Sequence, residues 1–581
     1  MVRFSPMLSP PMGRVDVSTV WFAVPYRLLN GKFQKFITGY YQDTAGSSQF
    51  LKRPNMCFKF GPRTAGLDNL FNTNVGSRYN LLDYCGIISG VDGQAVANDR
   101  IECARVLAFW YIYYEYFVDQ NLGYNFPQVS ADQIFGSNVP SEVDIRTEDG
   151  SKLTVPSILN WEQFTQIILR KSTKYPAVGG YLTIGDCIQQ GIDIDLSGIS
   201  GTVYSYLFLL PNKCWPKDYF TSALPWAQKG NPVTVPVSFP GATATVSTGQ
   251  FTGTGQLARK PHLTGDIHYN TLIRSEDQTP VGSLGSFTTD SAGHIKTGNN
   301  TYLELDNSSS LEAIVSGTVG HQTATFDSAS AAFTINDLRN SYALQSWLER
   351  NARCGSRYIE QILSHFGVRS SDARLQRPEY LGGFKLPVAV TSTAQTSENG
   401  TTPQGNLAGQ GISAGVGKQI TFFSEEHCLL VCMQYVQPRP YYYQGMSRLL
   451  RRREFYDFYF PEFAHLGEQE IKNHEVYYNP NDLTNDDTFG YQSRYSEYKF
   501  MNNELHGDFK HDSLRSWLFG VRQFDERPTL SPQFLLTDPD TETSLFSPFP
   551  VLKDDFDKLY CETTFDVKAL RPMPKYGTPY L

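Results

Sequence analysis

The sequence predicts a mainly β fold with long ordered loops and a few helices, on three observations. Aromatic residues make up 14% of the chain, with 34 Tyr and 38 Phe, the side chains that pleated, half-buried surfaces favour. Glycine and proline number 47 and 33, which supplies turns and interrupts helices. At 581 residues one small core is excluded, yet all-β folds with enlarged loops reach such lengths as a single elaborated body. Charged residues are only 19%. With so many aromatics, that is the composition extensive buried subunit contacts need, and a large monomer with several domains shares it.

Taken in order, the first marked element is Phe109–Phe117, FWYIYYEYF. It falls far short of the roughly 18 apolar residues of a membrane span and contains Glu115, so it predicts a buried or interface helix within residues 101–120. Neither a signal peptide nor a lipidation motif is found, so folding in a cytosol is expected. Composition then shifts between Asn231 and Ser330, which hold 11 Gly, 16 Thr and 12 Ser but no Cys. Thr/Val alternations such as VTVPVSF and ATATVST there predict short exposed strands joined by glycine turns. The segment reads as an insertion, either a flexible linker or a small body with Phe239, Phe251, Leu272, Phe287, Leu303, Leu305 and Ile314 as its core.

Thr334 and Asp337 form a helix-start pair. The following helix carries Ile335, Leu338 and Tyr342 on one side and Leu344, Trp347 and Leu348 roughly opposite, the pattern of a helix wedged between layers. A second helix places Ile359, Ile362, Leu363 and Phe366 on one face and ends at Gly367, where a left-handed cap is wanted. Arg369, Asp372, Arg374, Arg377 and Glu379 then crowd into eleven residues. Such a run fits a solvated charged loop, or bidentate pairing across a subunit contact. Thr391–Gly417 reads as a second polar loop, exposed or ordered at an interface.

The nine cysteines are odd in number, without CxxC pairs or zinc-site spacing, and read as reduced apolar residues. Cys428 and Cys432 belong to an apolar run expected to be a buried strand. Gly411–Gly415 fits G-x-S-x-G, but a glycine-rich loop followed by the strand-like KQITFF is the wrong setting for a nucleophile elbow. His506 and His511 near Asp508 and Asp512 are compatible with a metal, and more simply with a polar turn. No cofactor is implied. Net charge is -8, which speaks against a dedicated nucleic-acid binder. Locally, Arg448, Arg451, Arg452 and Arg453 lie near Tyr441, Tyr442, Tyr443 and Phe455, where cations and aromatic planes suit phosphates and unpaired bases, or acidic residues of a neighbouring subunit.

The stretch LRNSYALQSWLERNARCGSRYIEQILSHFGVRSSDARLQRPEYLGG resembles the signature segment of the major capsid proteins of the Microviridae, small single-stranded DNA bacteriophages, of the gokushovirus type. VSTVWFAVPYRLLNGKFQKFITG and KDYFTSALPWAQKG upstream resemble further family blocks in order. QPRPYYYQG, FYFPEFAHLGEQEI, YQSRYSEYKFMNNELHGDF and RPMPKYG continue the resemblance downstream. Family members usually carry an N-terminal arm before the first block, so this chain is expected to be short there or to have a trimmed start.

The resemblance implies an eight-stranded antiparallel jelly roll whose inter-strand insertions carry the helices. Residues 1–230 and 334–581 would build its body, with the signature segment at 334–383, and 231–333 would form a surface protrusion near the threefold axes used in host attachment. It implies homopentamers that close into a T=1 shell around circular single-stranded DNA. Further implied partners are a small basic DNA-associated protein, scaffolding or pilot proteins, and a bacterial surface receptor, with no membrane insertion. The expected location is the virion, after synthesis and assembly in the host cytoplasm. Arg353, Arg357, Arg369, Asp372, Arg374, Arg377 and Glu379 are then the candidate inter-subunit contacts. Arg448, Arg451, Arg452 and Arg453 are the candidate inner-surface DNA contacts, placed second to interface use. No catalytic or metal residue is assigned. A receptor- or glycan-binding β module and an enzyme are the competing classes, the latter without a convergent set of acid, base and nucleophile.

Overall fold

A computed structural model of the chain describes residues 1–37, 56–59, 81–86, 100–119, 143–155, 158, 160–171, 180–196, 201–208 and 210–229, and short strands between 252 and 314. It further describes 335–353, 358–369, 371–372, 374–396, 404–537, 545–546 and 558–571. The chain divides into two compact units, Met1–Pro232 with Gln345–Leu581, and Val233–Leu344.

In the larger unit the organising strand is Val15–Pro25, VDVSTVWFAVP, whose β-branched and aromatic side chains are covered along nearly its whole length. It pairs antiparallel with Cys428–Pro438 on one side, from Val15 opposite Pro438 to Pro25 opposite Cys428. On the other side lies Glu379–Pro387, with a bulge between Tyr380 and Gly382. A second antiparallel sheet orders Ala389–Ala394, Leu407–Ser413, Val2–Phe4 and Leu559–Cys561. Phe4, Met7, Val15, Val17, Phe519 and Phe546 form an apolar cluster joining the N-terminal strands to the C-terminal part of the chain.

Helices take a larger share than a mainly β expectation allows, and the architecture is mixed. The largest core cluster gathers around the helix Ala104–Ile112, the helices Ile184–Gln190 and Gly201–Phe208, and one face of the three-stranded sheet. The aromatic content that reads as strand-forming is spent here on helix packing. Trp110 is fully buried, donates from Nε1 to the Leu207 carbonyl at 2.9 Å, and stacks near Tyr114 and Phe164. The helix widens into a π-helical turn over Tyr113–Phe117, closed by the Val118 amide on the Tyr113 carbonyl. From that turn Tyr116 and Phe117 meet Phe22 of the sheet at ring separations of 4.7 and 6.3 Å. The FWYIYYEYF run is therefore a buried helix, and no helix among the described residues is long and apolar enough to cross a membrane.

The helices Ile335–Arg353 and Tyr358–Phe366 form at the expected places, and Gly367 ends the second with φ +68°. Thr334 lies outside the described residues. The wedge expectation is not met within one chain: Leu338, Leu344 and Trp347 are about half exposed and Tyr342 is 77% exposed. Cys428–Pro438 is a strand as expected, but half-buried rather than buried. The polar loop predicted at 391–417 contains a hairpin, because Ala389–Ala394 pairs with Leu407–Ser413. Ser413 thus ends a strand and KQITFF carries no strand, the reverse of the predicted order. Among the described cysteines all are free; Cys103, Cys187 and Cys214 are buried, while Cys561 is exposed.

The unit Val233–Leu344 contains seven described short strands between Thr252 and Ile314. All their described pairings are antiparallel. Phe239 and Phe251 lie outside the described residues.

Candidate functional sites

The charged segment that follows the second helix turns out to have an inner and an outer half. Arg377 is buried and lies over the Tyr116 ring at 4.7 Å. Its Nε is 3.3 Å from Asp372 and its Nη2 3.9 Å from Glu115. The backbone around it is pinned to the aromatic helix: Tyr111 donates to the Gln376 carbonyl and Tyr116 to the Pro378 carbonyl, each at 2.6 Å. Burial pushes the Tyr116 hydroxyl up to about 12, against the opposing pull of Arg377. Gln376 holds φ +57°, a left-handed geometry, and its side chain accepts from Arg27, which also grips Glu426 at 2.7 Å. Glu379 opens a strand opposite Ala23. Arg353 reaches Glu468 at 3.1 Å, and burial holds that carboxyl above the ordinary range.

Arg369 and Arg374, by contrast, are exposed and pair with no described residue. Arg357 lies outside the described residues. Beside the exposed pair, Leu363, Phe366 and Val368 are open to solvent, Phe366 at 78%. An amphipathic helix whose apolar face meets water gains little from forming. In a single chain the two signature helices therefore present apolar surface and unpaired cations together.

The four clustered arginines also separate. Arg448 donates to the Glu470 carbonyl at 2.7 Å and lies 3.7 Å from Glu475 and 4.0 Å from Glu497. Glu475 is buried, accepts from the Tyr219 hydroxyl at 2.9 Å, and is raised by burial above the usual carboxyl range. Arg451 pairs with Asp486 at 2.9 Å, and His474 beside it is lowered by burial first and by Arg451 second. Arg452 has no described acidic partner. It donates to the Leu449 carbonyl and Tyr498 hydroxyl and lies 4.9 Å over Phe458. The Arg453 side chain is exposed and meets no described partner. Around these two, Phe455, Tyr456, Phe458, Tyr459 and Phe460 are all exposed. Short 3-10 turns hold them there, with Asp457 Oδ2 accepting from the Arg453 and Glu454 amides. Tyr442, by contrast, is buried.

Sequence reasoning missed Arg522. It is buried, 4.0 Å over Phe534, with Trp215, Tyr442 and Phe524 also within 5.6 Å. It donates to the Phe534 carbonyl and to the Tyr442 hydroxyl, which in turn donates to Asp218. No local pattern marks an isolated Arg in VRQFDERP; only its aromatic neighbours, distant in sequence, disclose it. His506 and His511 sit on exposed turns, and among the described residues no three acidic, His or Cys side chains are grouped to hold a metal. The Ser413 hydroxyl is buried without a described hydrogen-bond partner.

Comparison with known proteins places these features. The family described as Capsid protein (F protein) matches residues 187–581. The chain is 29% identical to Capsid protein VP1 of Chlamydia phage 1, over 100% of this chain and 89% of that protein. It is 28% identical to Capsid protein VP1 of Spiroplasma virus 4, over 100% and 88%. Identity rises to 35% with Capsid protein VP1 of Bdellovibrio phage phiMH2K, over 63% of this chain and 64% of that protein.

Proposed function

This chain belongs to the phage capsid protein (F protein) family and is a structural coat protein of the virion, and from that premise we propose how it builds its shell. Pentamers of the chain close into a T=1 icosahedron around a circular single-stranded DNA genome, each contact weak and the closed assembly stable through repetition. The two antiparallel sheets around Val15–Pro25 and Val2–Phe4 belong to an eight-stranded jelly roll, with 1–230 and 334–581 as its body. The observation that supports this reading best is the signature segment, which exposes Tyr342, Trp347, Phe366, Arg369 and Arg374 in a single chain. A neighbouring copy supplies what these groups lack: apolar cover and acidic partners. The lock thus rests on Arg369 and Arg374, while Arg377, Asp372 and Glu379 shape the segment from within and Arg353 braces Glu468.

Arg452 and Arg453, with the exposed aromatics at 455–460, form the inner-surface patch for DNA, where bases stack and phosphates meet cations. Arg448 and Arg451 are held by acidic side chains and serve the subunit's own fold. Residues 231–333 form the protrusion used in host attachment. A small basic phage protein, with scaffolding or pilot proteins, completes assembly in the bacterial cytoplasm. Arg369→Ala with Arg374→Ala tests the lock: shells should form in reduced yield from subunits of unchanged melting temperature. Normal shell yield and heat resistance would remove the lock from the account.

A further inference from the structure

We infer that residues 563–571 form an inter-subunit arm that docks as an added strand on a second copy of the chain. The inference rests on the coat-protein reading, because it requires neighbouring copies.

Up to Glu562 the C-terminal segment is tied to its own chain. Leu559–Cys561 pairs with Val2–Phe4, and the backbone ladder ends where the Glu562 amide donates to the Met1 carbonyl. Beyond that point no described hydrogen bond engages the backbone of 563–571, and residues 559–571 are exposed except for the pairing at their base. The one described ring contact of this stretch is with the body, where Phe565 meets Trp21 edge-to-face at 5.3 Å.

The sequence of this arm is not that of a solvated tail. Phe565, Val567 and Ala569 alternate with Asp566 and Lys568, the period-two pattern of a strand with one covered face. Yet Val567 is 72% exposed and Leu570 is 103% exposed. A strand pattern without a strand partner, beside unpaired backbone, is what strand addition to another sheet edge completes. Nine residues reach about 30 Å when extended, enough to cross a subunit boundary. The contact is heterologous, arm to body, so it repeats around a ring and closes under rotational symmetry. A second copy is the occupant for that reason: a coat protein surrounds each arm with identical sheet edges.

Amide hydrogen exchange on the full chain, as free subunit and as assembled shell, tests this directly. Exchange across 563–571 should slow at least tenfold in the shell, and unchanged exchange in intact shells would overturn the arm. In parallel, Val567→Asp with Leu570→Asp should leave the subunit melt within about 1 °C while lowering shell yield at least tenfold. Normal shell yield from the double variant would equally overturn it. Failure of the coat-protein reading looks different, since then no particle forms from any variant, wild type included.

Discussion

Replacing Arg377 by alanine should damage the subunit itself, whereas the same change at Arg374, three residues earlier, should damage only assembly. The Arg377 guanidinium lies over Tyr116 at 4.7 Å and faces Asp372 at 3.3 Å. A partly desolvated cation–aromatic contact contributes about 1–2 kcal/mol. Breaking a buried ion pair by removing one partner costs about 3–5 kcal/mol. Here Asp372 and Glu115 keep 20% and 26% of their side-chain surface, so water screens the orphaned carboxylates and the lower end applies. A loss of about 4–5 kcal/mol in total follows. With an unfolding entropy of about 2.1 cal/mol/K per residue, 581 residues unfolding together convert that loss into a fall in Tm of about 3–4 °C. Calorimetry of purified subunits reads it, and Arg377→Lys, which keeps charge but loses the planar stack, should fall between. The reasoning is refuted if Arg377→Ala melts like wild type, or if Arg374→Ala destabilises the subunit as much.

Three further outcomes follow from the same geometry. Lys213 is packed 4.7 Å from Tyr435, and burial pushes its ammonium down to about 8 from an ordinary 10.5. Between those values the unfolded chain binds the proton and the folded chain does not, so stability rises with pH from about 8 to 10. Lys213→Met should raise stability at pH 7 by about 1–3 kcal/mol and abolish that rise, as read by denaturant titration across pH. Gly520 holds φ +76°, and a Cβ there would stand 2.0 Å from the Arg439 carbonyl oxygen; Gly520→Ala should cost at least about 2 kcal/mol by the same titration. Arg452→Gln with Arg453→Gln should weaken binding of a single-stranded oligonucleotide and reduce the log–log salt slope by about 1.4, at unchanged subunit Tm.

The sequence made the local elements legible where their signals are local. The Tyr358–Phe366 helix with its Gly367 cap and the Cys428–Pro438 strand depend on spacing and turn chemistry within a few residues of each. Family resemblance carried the coat-protein assignment, which composition alone left open. What could not be read are the partnerships between distant segments. Arg377 and Arg374 look equivalent in the chain, and only the aromatic helix more than 250 residues upstream makes one internal. The same holds for Arg448 against Arg453, and for Arg522. Aromatic content misled on fold class because Trp110, Tyr113 and Tyr114 fill a helix–sheet core. Glycine content misled at 407–413, where Gly409 lies against Ser9 and Gly411 against Phe4, so the glycines permit close strand packing rather than a loop.

The most direct test of the account is negative-stain electron microscopy of the full chain, expressed alone and recovered from phage-producing cells. Uniform closed icosahedral particles with this chain as their dominant component are the predicted result. Monodisperse monomers or trimers from both sources would contradict it and bring a soluble β-rich receptor- or glycan-binding module to the front.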